Sequence, residues 1–380
     1  MFSIDAQDGL ARTGSLKTAH GTLRTPCFKA VATKSAVKMM SSDGLKEIGQ
    51  QAVISNAFIL SLRPGLEVIR AHGGLHSFMD FDRTIYTDSG GFQILSLGDE
   101  FHVKTTDKGL SFRSPFDGSH QTLSPKSCMQ IQQTLGSDVA MALDHMPLYG
   151  STKEQAIESL KHTHDWMQRC KKIHTGESIY GKRQLLFGIA QGGVYPDLRL
   201  KSIRFIDSLD FDGIAFGGLA VGEPKEKMFE MIDLSSRNCS EEKPRYVMGL
   251  GSPEDIVKAV DKGVDTFDSI FPTRNARHGH LFTSDGVLRI ENAAYRQDYG
   301  PIDNDCSCKI CKKYTRSYIH HLLRTREPLG KMLATYHNLY FMQDLVKKIQ
   351  KAIQAQEFSD FKKEFLARYQ DAKAEDGSEN

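Results

Sequence analysis

Short apolar runs alternate with amphipathic segments along most of this chain. Helical periodicity predicts helices over residues 64–72, 153–171, 196–208, 224–235 and 253–262. The last of these has the clearest limits, with Ser252 as N-cap, Pro253 in the first turn and Gly263 after its end. Eight β-rich runs are predicted strands, near residues 26–31, 52–55, 84–88, 138–144, 185–190, 212–216, 245–249 and 264–268.

Eight strands that alternate with helices predict an α/β fold of the (β/α)8 barrel type. Five candidate residues lie at or just after the ends of predicted strands, namely Asp88, Asp144, Gln191, Gly218 and Asp268. In a (β/α)8 barrel these strand ends converge on one face, which is where active sites lie. A doubly wound open sheet is the alternative, and it would gather such residues at one or two crevices only.

Two segments interrupt the alternation and suggest how the chain is divided. Residues 96–136 are too long for a plain βα unit and predict a hairpin-rich insertion within a barrel of residues 1–279. Residues 280–370 follow the last strand and are predicted to form a smaller metal-binding subdomain with closing helices. The tail, residues 371–380, is polar and is predicted to be disordered.

The composition is that of an ordinary soluble globular protein. Of 380 residues, 39% are hydrophobic and 25% charged, and the net charge of +2 is too small to indicate nucleic-acid binding by itself. No apolar run approaches the roughly 18 residues of a membrane span, and the first residues do not resemble a signal peptide. We therefore expect a cytoplasmic protein with no membrane partner.

A cysteine cluster predicts one structural zinc ion. Cys306, Cys308 and Cys311 supply three thiolates within six residues, and a fourth ligand would close a tetrahedral shell. With no open position, such a zinc ion would support the fold and would not activate water. Spacing alone leaves the fourth ligand open between His337 and the pair His320 and His321.

Two of the polar strand-end residues are carboxylates suited to glycosyl transfer. Asp88 precedes Ser89-Gly90-Gly91, and Asp268 ends an apolar run that Arg274 and Arg277 follow. Each alone is typical of a turn or a cap. Together they permit a double displacement, in which one carboxylate attacks a glycosidic carbon and the other moves the proton. The arginines favour a polynucleotide as the glycosidic substrate.

These residues belong to a set of segments that resembles the tRNA-guanine transglycosylases (queuine tRNA-ribosyltransferases) of the bacterial type over nearly the whole chain. That family consists of enzymes with a (β/α)8 barrel and a zinc subdomain. The similar segments are Asp88-Ser-Gly-Gly-Phe-Gln93, Ser114-Pro-Phe-Asp-Gly-Ser119, Gln191-Gly192, Gly217-Gly-Leu-Ala-Val-Gly-Glu223, Tyr246-Val-Met-Gly249, Phe267-Asp268, Pro272-Thr-Arg-Asn-Ala-Arg277, the cysteine cluster and His337-Asn-Leu339.

The resemblance implies a role for each candidate residue. Asp268 is the implied nucleophile toward C1′ of the wobble guanosine, Asp88 the general acid and base, and His337 the fourth zinc ligand. The implied base-binding residues are Asp88, Ser89, Gly90, Gly91, Phe92, Asp144, Gln191, Gly218, Leu219 and Met248. The implied RNA contacts are Gly249, Leu250, Gly251, Ser252, Pro253, Glu254, Asp255, Thr273, Arg274, Asn275, Ala276 and Arg277.

The activity implied is exchange of guanine at the wobble position of tRNAs with GUN anticodons, by a homodimer, in queuosine biosynthesis. The segment Gly217-Gly-Leu-Ala-Val221 resembles the bacterial form, which inserts 7-aminomethyl-7-deazaguanine. Three alternatives stay open. In the first, the enzyme inserts queuine directly. In the second, the chain is a non-catalytic tRNA-binding subunit of this fold. In the third, it is a glycoside hydrolase acting on sugars, which leaves the arginines and the zinc module unexplained.

The chain departs from the usual family pattern at three places. Asp144-His145-Met146 stands where Asp-Glu-Cys is usual, Asn56-Ala-Phe-Ile-Leu60 replaces Asn-Thr-Tyr-His-Leu, and Cys27-Phe-Lys-Ala30 replaces Val-Phe-Met-Pro. His145 and Met146 either reshape the base pocket in favour of a bulkier base such as queuine or are neutral differences.

Overall fold

A closed barrel of eight parallel strands forms the centre of the molecule, so the predicted (β/α)8 fold is confirmed. The computed structural model describes residues 2–96, 102–114 and 116–375. Every predicted strand is present with small shifts at its ends. The barrel strands are β4 (Cys27–Val31), β5 (Ala52–Ser55), β6 (Thr84–Thr87), β10 (Val139–Met141), β11 (Leu185–Ala190), β12 (Gly213–Phe216), β13 (Arg245–Val247) and β14 (Thr266–Ser269), and β14 pairs with β4.

Helices surround the barrel, and the sequence patterns predicted five of them individually. Strands such as β11 are buried along their whole length because the barrel interior covers one face and helices cover the other. The helices are α1 (Ser42–Glu47), α2 (Ala57–Leu60), α3 (Leu66–Ala71), α4 (Leu75–Met79), α5 (Gly91–Ser96), α6 (Pro125–Leu135), α7 (Lys153–Ile173), α8 (Pro196–Ser208), α9 (Lys225–Arg237), α10 (Pro253–Val260), α11 (Phe271–Arg277), α12 (Lys309–Lys313), α13 (Arg316–Arg324), α14 (Pro328–Gln354) and α15 (Phe358–Glu375), with a π turn at Ser61–Gly65 and a 3-10 turn at Ala293–Gln297.

The insertion between β6 and β10 is shorter than the sequence suggested. It contains a three-stranded antiparallel sheet, β7 (Lys104–Thr106), β8 (Gly109–Arg113) and β9 (His120–Leu123). Residues 125–135, which we assigned to the insertion, instead form α6, capped by a reciprocal Ser124–Ser127 pair with Pro125 in its first turn. Residues 97–101 and 115 of the predicted insertion lie outside the described residues.

An N-terminal sheet that the sequence patterns missed covers the end of the barrel opposite the carboxyl ends of its strands. It contains β1 (Phe2–Asp8), β2 (Ala11–Thr18) and β3 (Gly21–Thr25). Arg12 holds it in place by donating two hydrogen bonds to the buried Asp265, at 2.9 and 2.7 Å. This bidentate geometry is the strong form of an arginine–carboxylate contact.

The C-terminal segment completes the ring of helices. A hairpin of β15 (His280–Thr283) and β16 (Gly286–Arg289) follows α11, and α14 then packs against β4. The Gln343 side chain of α14 donates to the Gln50 side chain at 3.0 Å, which ties the helix to the barrel wall.

The predicted disordered tail begins too early. Helix α15 runs through residues 371–375, whose Ala, Lys and Glu residues favour a helix, and residues 376–380 lie outside the described residues. None of the helices in the described ranges is long and apolar enough to span a membrane.

Candidate active site and metal centre

Asp268 lies in β14 at the carboxyl end of the barrel, where two donors hold one of its oxygens. The Tyr246 hydroxyl and the Gly249 backbone N–H, at 3.1 Å, both donate to Oδ1. Burial raises the pKa of Tyr246 well above its ordinary value, so the phenol keeps the proton that it donates. The second oxygen, Oδ2, is free of these two contacts and is the atom best placed to react.

Asp88 follows β6 at the same end of the barrel, in a setting that favours its protonated form. Burial raises the pKa of Asp88 to about 7, and the nearby carboxylates of Asp268 and Asp144 add to the rise. Opposing this, Ala57 donates its N–H to Oδ1 at 3.0 Å and the Asn56 amide donates to Oδ2 at 2.9 Å. A carboxyl group that titrates near neutral pH can both give and accept a proton.

A third carboxylate, Asp144, anchors a polar cluster deeper in the mouth. It is buried, with Ser89 Oγ donating to Oδ1 at 2.9 Å and Gln191 Nε2 donating to Oδ2 at 2.6 Å. Gln191 is also buried, and its Oε1 has no hydrogen-bond partner among the described residues. Together Asp144 and Gln191 offer acceptors and one remaining amide N–H to a planar ligand.

Glycines keep the backbone close to this cluster. Gly218 has φ of +67°, and a Cβ there would lie 2.5 Å from Gln191 Oε1. Gly90 has φ of +82°, and a Cβ there would lie 2.5 Å from the Cβ of Phe58. Only glycine fits positive φ and such close contacts without strain, so the cluster depends on both residues.

The turn after Gly218 is fixed by Glu223, which sequence reasoning did not single out. Its carboxylate accepts the N–H groups of Ala220, at 2.5 Å, and Val221, at 3.0 Å. Since the N–H and C=O of a trans peptide point in opposite directions, the Leu219 carbonyl faces away from Glu223. That carbonyl can therefore accept a hydrogen bond from an ammonium group or from another N–H group.

The two unusual residues after Asp144 separate in space. The His145 ring points toward α7, where Nδ1 contacts Ser159 Oγ at 2.9 Å and Nε2 contacts Thr105 Oγ1 of the insertion at 2.9 Å. Burial lowers the pKa of His145 to about 4, so the ring is neutral at physiological pH. Met146 is buried, with its Cγ 3.4 Å from a Cβ built on Gly218. Met146, and not His145, therefore lies beside Gly218.

The rim of the mouth carries the predicted RNA-contact residues, but only some of them reach the surface. Gly249 and Arg274 are exposed, and Ser252, Asn275 and Arg277 are half-buried. Phe92 is 42% exposed, and Met248, the residue before Gly249, is half-buried. These residues form the accessible part of the predicted surface.

The other predicted RNA contacts are buried. Glu254 and Asp255 each accept a hydrogen bond from Lys225 Nζ at 2.9 Å, so their carboxylates are already paired. Burial also removes a further group of predicted contacts from the surface, namely Leu250, Gly251, Pro253, Thr273 and Ala276. Their side chains support the rim, and a negatively charged phosphate backbone would not approach the two carboxylates.

A cluster at the start of α12 has the donor set of a structural zinc site. The Sγ atoms of Cys306, Cys308 and Cys311 lie 3.8, 3.6 and 3.3 Å from His337 Nδ1. Ligands of one tetrahedral zinc ion are separated by about 3.6 Å for thiolate and imidazole, so the four side chains fit that ion. His337 Nε2 contacts the Phe282 carbonyl at 2.6 Å, which assigns the proton to Nε2 and leaves Nδ1 for the metal.

The geometry resolves the choice of histidine that spacing left open. His320 is buried elsewhere, with Nδ1 2.8 Å from the Ile290 carbonyl, whereas His337 converges on the three thiols. The next residue, Asn338, bonds to the Phe282 N–H at 3.0 Å and to the Pro272 carbonyl at 3.1 Å. The metal cluster is thereby connected to α11, which carries Arg274 and Arg277.

Comparisons with known proteins point to one family. The family model described as queuine tRNA-ribosyltransferase matches residues 7–371. A queuine tRNA-ribosyltransferase of Francisella tularensis subsp. novicida is 47% identical over 368 residues, which cover 97% of this chain and 98% of the relative. One from Halothermothrix orenii is 48% identical over 359 residues, 94% of each chain.

Proposed function

Because the chain belongs to the queuine tRNA-ribosyltransferase family, we propose that it exchanges the guanine at the wobble position of tRNAs with GUN anticodons for a 7-deazaguanine base. The observation that carries this proposal is that Asp268 and Asp88 lie near each other at the same end of the barrel. Asp268 is held by donors at one oxygen, and Asp88 titrates near neutral pH. These are the different settings that a nucleophile and an acid–base group require.

The proposed reaction is a double displacement. Asp268 Oδ2 attacks C1′ of the wobble nucleotide, the glycosidic bond breaks, and its electron pair leaves with guanine, which takes a proton from Asp88. The incoming base then attacks C1′, gives its proton to Asp88, and the ester bond to Asp268 breaks with its electrons returning to the carboxylate. The configuration at C1′ is retained after two inversions.

Base recognition in this proposal uses the cluster around Asp144. The carboxylate accepts the N1–H and the exocyclic amine of a guanine-like edge, while the Gly218 N–H and the free N–H of the Gln191 amide donate to its carbonyl. The wobble base must leave its stack to reach this depth, and Phe92 at the rim offers a ring against which it can stack.

We propose 7-aminomethyl-7-deazaguanine as the incoming base. The Leu219 carbonyl, turned away from Glu223, suits an ammonium group on the 7-substituent. The buried Met146 narrows the space beside Gly218, which disfavours the bulkier queuine.

The three thiols and His337 would hold one structural zinc ion, which when bound cross-links the C-terminal segment. A cytoplasmic homodimer remains our prediction for its location and assembly.

Exchange of radiolabelled guanine into a tRNA with a GUN anticodon tests the function. We expect incorporation into that tRNA and none into a matched transcript whose wobble base is adenine. Absence of incorporation into either RNA, with zinc-loaded and folded protein, would refute the proposed activity. The non-catalytic alternative predicts that outcome together with tRNA binding.

The same assay distinguishes the two bases. Unlabelled 7-aminomethyl-7-deazaguanine should suppress guanine incorporation at a concentration at least about tenfold lower than queuine does, since we expect Met146, beside Gly218, to leave less room for the larger base. Equal or stronger suppression by queuine would reject the aminomethyl base as the preferred substrate while leaving the exchange reaction intact.

The pH dependence of the two half-reactions should identify Asp88. Covalent complex formation should slow as pH rises through about 7, because the protonated acid is lost. Displacement by the incoming base should speed up over the same range, because the carboxylate is the proton acceptor. Rapid-quench measurements of the rate of each half-reaction across this pH range check both predictions. Asp88→Asn should remove the pH dependence of both rates, and the exposed Asp43→Asn should leave both pH profiles unchanged.

A further inference from the structure

Lys29 lies inside the barrel directly beside the nucleophile. It is on β4, and the pairing of β4 with β14 places its Cα opposite that of Asp268. The side chain is 0% exposed. This residue belongs to the segment Cys27-Phe-Lys-Ala30, one of the three places where the chain departs from the usual pattern.

The surroundings of the Lys29 ammonium are aromatic. Nζ lies 3.6 Å from the ring centroid of Tyr246 and 4.5 Å from that of Tyr86, and it has no hydrogen-bond partner among the described residues. A buried ammonium without hydrogen bonds is costly, and an uncharged side chain of equal length would not carry that cost. The ring faces offset part of it, because their negative quadrupoles attract a cation.

Tyr246 connects this cation to Asp268. Its ring face meets Lys29, and its hydroxyl donates to Asp268 Oδ1. A cation over a phenol withdraws electron density from the ring, so the O–H becomes a stronger donor to the carboxylate. The charge of Lys29 therefore favours Asp268 as a carboxylate over Asp268 as an uncharged ester.

We propose that Lys29 is a positioning residue that acts through Tyr246 to make Asp268 a good leaving group in the second displacement. This inference rests on the proposed function. In that step the incoming base bonds to C1′, the bond between C1′ and Asp268 oxygen breaks, and the electron pair returns to Asp268. The proton of the incoming base goes to Asp88. The returning negative charge is the species that the Lys29 cation stabilises.

The ionisation of Lys29 gives this role a pH signature. Burial lowers the pKa of Lys29 from its ordinary value to about 8, and the Asp268 carboxylate opposes part of that fall. While Asp268 is a carboxylate, Lys29 is thus charged at neutral pH and loses its charge as pH rises through about 8. In the ester the pKa of Lys29 is lower, because the charge of that carboxylate is absent. The other titratable groups that face this region are Cys27 on β4, Tyr86 on β6, Tyr246 on β13, and the carboxylates of Asp88 and Asp144 after β6 and β10.

Lys29→Met tests the proposal because methionine keeps the unbranched chain and removes the charge. The covalent enzyme–tRNA complex is formed first, isolated, and chased with 7-aminomethyl-7-deazaguanine. At about pH 6.5 we expect the variant to release tRNA about tenfold more slowly than the unaltered protein, and to hold more tRNA as complex at steady state. At about pH 9 the two rates should converge, because Lys29 is then neutral in the unaltered protein. Asp88 titrates in both proteins, so it cancels in the ratio.

Two further variants distinguish an effect of the Lys29 charge transmitted through Tyr246 from a structural effect of the substitution. Lys17→Met removes an exposed lysine of β2 and should leave the chase rate unchanged. Tyr246→Phe keeps the ring but removes the hydroxyl, so adding Lys29→Met to it should slow the chase no further. A thermal melt should show Lys29→Met at least as stable as the unaltered protein, since a costly buried charge is gone.

The outcomes that overturn the inference are distinct from those that overturn the function. A Lys29→Met chase rate within twofold of the unaltered protein at about pH 6.5, or a deficit of equal size at both pH values, would reject the role of the charge. If Lys29→Met and Tyr246→Phe slow the chase additively, the charge of Lys29 does not act through Tyr246. Failure of the unaltered protein to form a complex would reject the proposed function itself.

Discussion

Asp268→Asn is expected to abolish the covalent enzyme–tRNA complex and to lower guanine exchange by at least about 10⁴-fold. An amide oxygen does not attack C1′ at a useful rate, and within the described ranges no other carboxylate is held by Tyr246 and Gly249. Asparagine keeps the volume and an acceptor for the Tyr246 hydroxyl, so the barrel should fold as before. Denaturing gels of enzyme incubated with tRNA and a base analogue would measure the complex.

The matched control for this result is Asp43→Asn, which makes the same chemical change at an exposed position in α1. It should form the complex as the unaltered protein does. Tight tRNA binding by Asp268→Asn without any exchange would further show that only the chemical step is lost. Persistence of a denaturant-stable complex in that variant would assign the nucleophile elsewhere.

Cys308→Ser is expected to lose the bound zinc ion and to lower the Tm by at least about 10 °C. A serine hydroxyl is a poor zinc ligand, and the half-buried Cys306 and the buried Cys311 and His337 would be left without the metal that joins them. Exchange activity should fall as well. The reason is mechanical: His337 and Asn338 connect the cluster to β15 and α11, and α11 carries Arg274 and Arg277.

Metal analysis by mass spectrometry and a thermal melt check this prediction. The unaltered protein should contain one zinc ion per chain, and Cys239→Ser, a half-buried cysteine away from the cluster, should keep both zinc and Tm. A strong chelator should reproduce the Cys308→Ser phenotype in the unaltered protein. A Cys308→Ser protein with full zinc content would contradict the four-ligand site.

The barrel itself was predictable because its strands are buried on both faces. Such strands appear as short continuous apolar runs, and β11 is an example that was located to the residue. The N-terminal sheet escaped notice because its first strand is largely exposed, so it has little apolar signal. Helix α6 was missed because Ser, Gln and Thr dilute the apolar residues of its buried face.

Among the candidate site residues, several carry a local signal that places them at one end of the barrel. Asp88, Gln191 and Asp268 lie at the ends of recognisable strands. The sequence does not show which of the predicted RNA-contact residues are buried, because burial depends on what packs against a residue. In the sequence, Glu254 and Asp255 are typical of exposed carboxylates in the first turn of a helix. In the structure, Lys225 of α9 donates a hydrogen bond to each of them.

By itself, the sequence determined the eight-stranded barrel, the pair of strand-end carboxylates and the three thiols of the metal cluster. Each strand, each carboxylate and the thiol cluster has its own signal within a single strand or turn. The tertiary structure decided that His337 converges on those thiols, that Met146 lies beside Gly218 while His145 points toward α7, and that Lys29 meets Tyr246 beside Asp268. These contacts join residues that are distant in the chain. Closure of the barrel brings Lys29 of β4 to Tyr246 of β13, and packing of α14 against α12 brings His337 to the thiols.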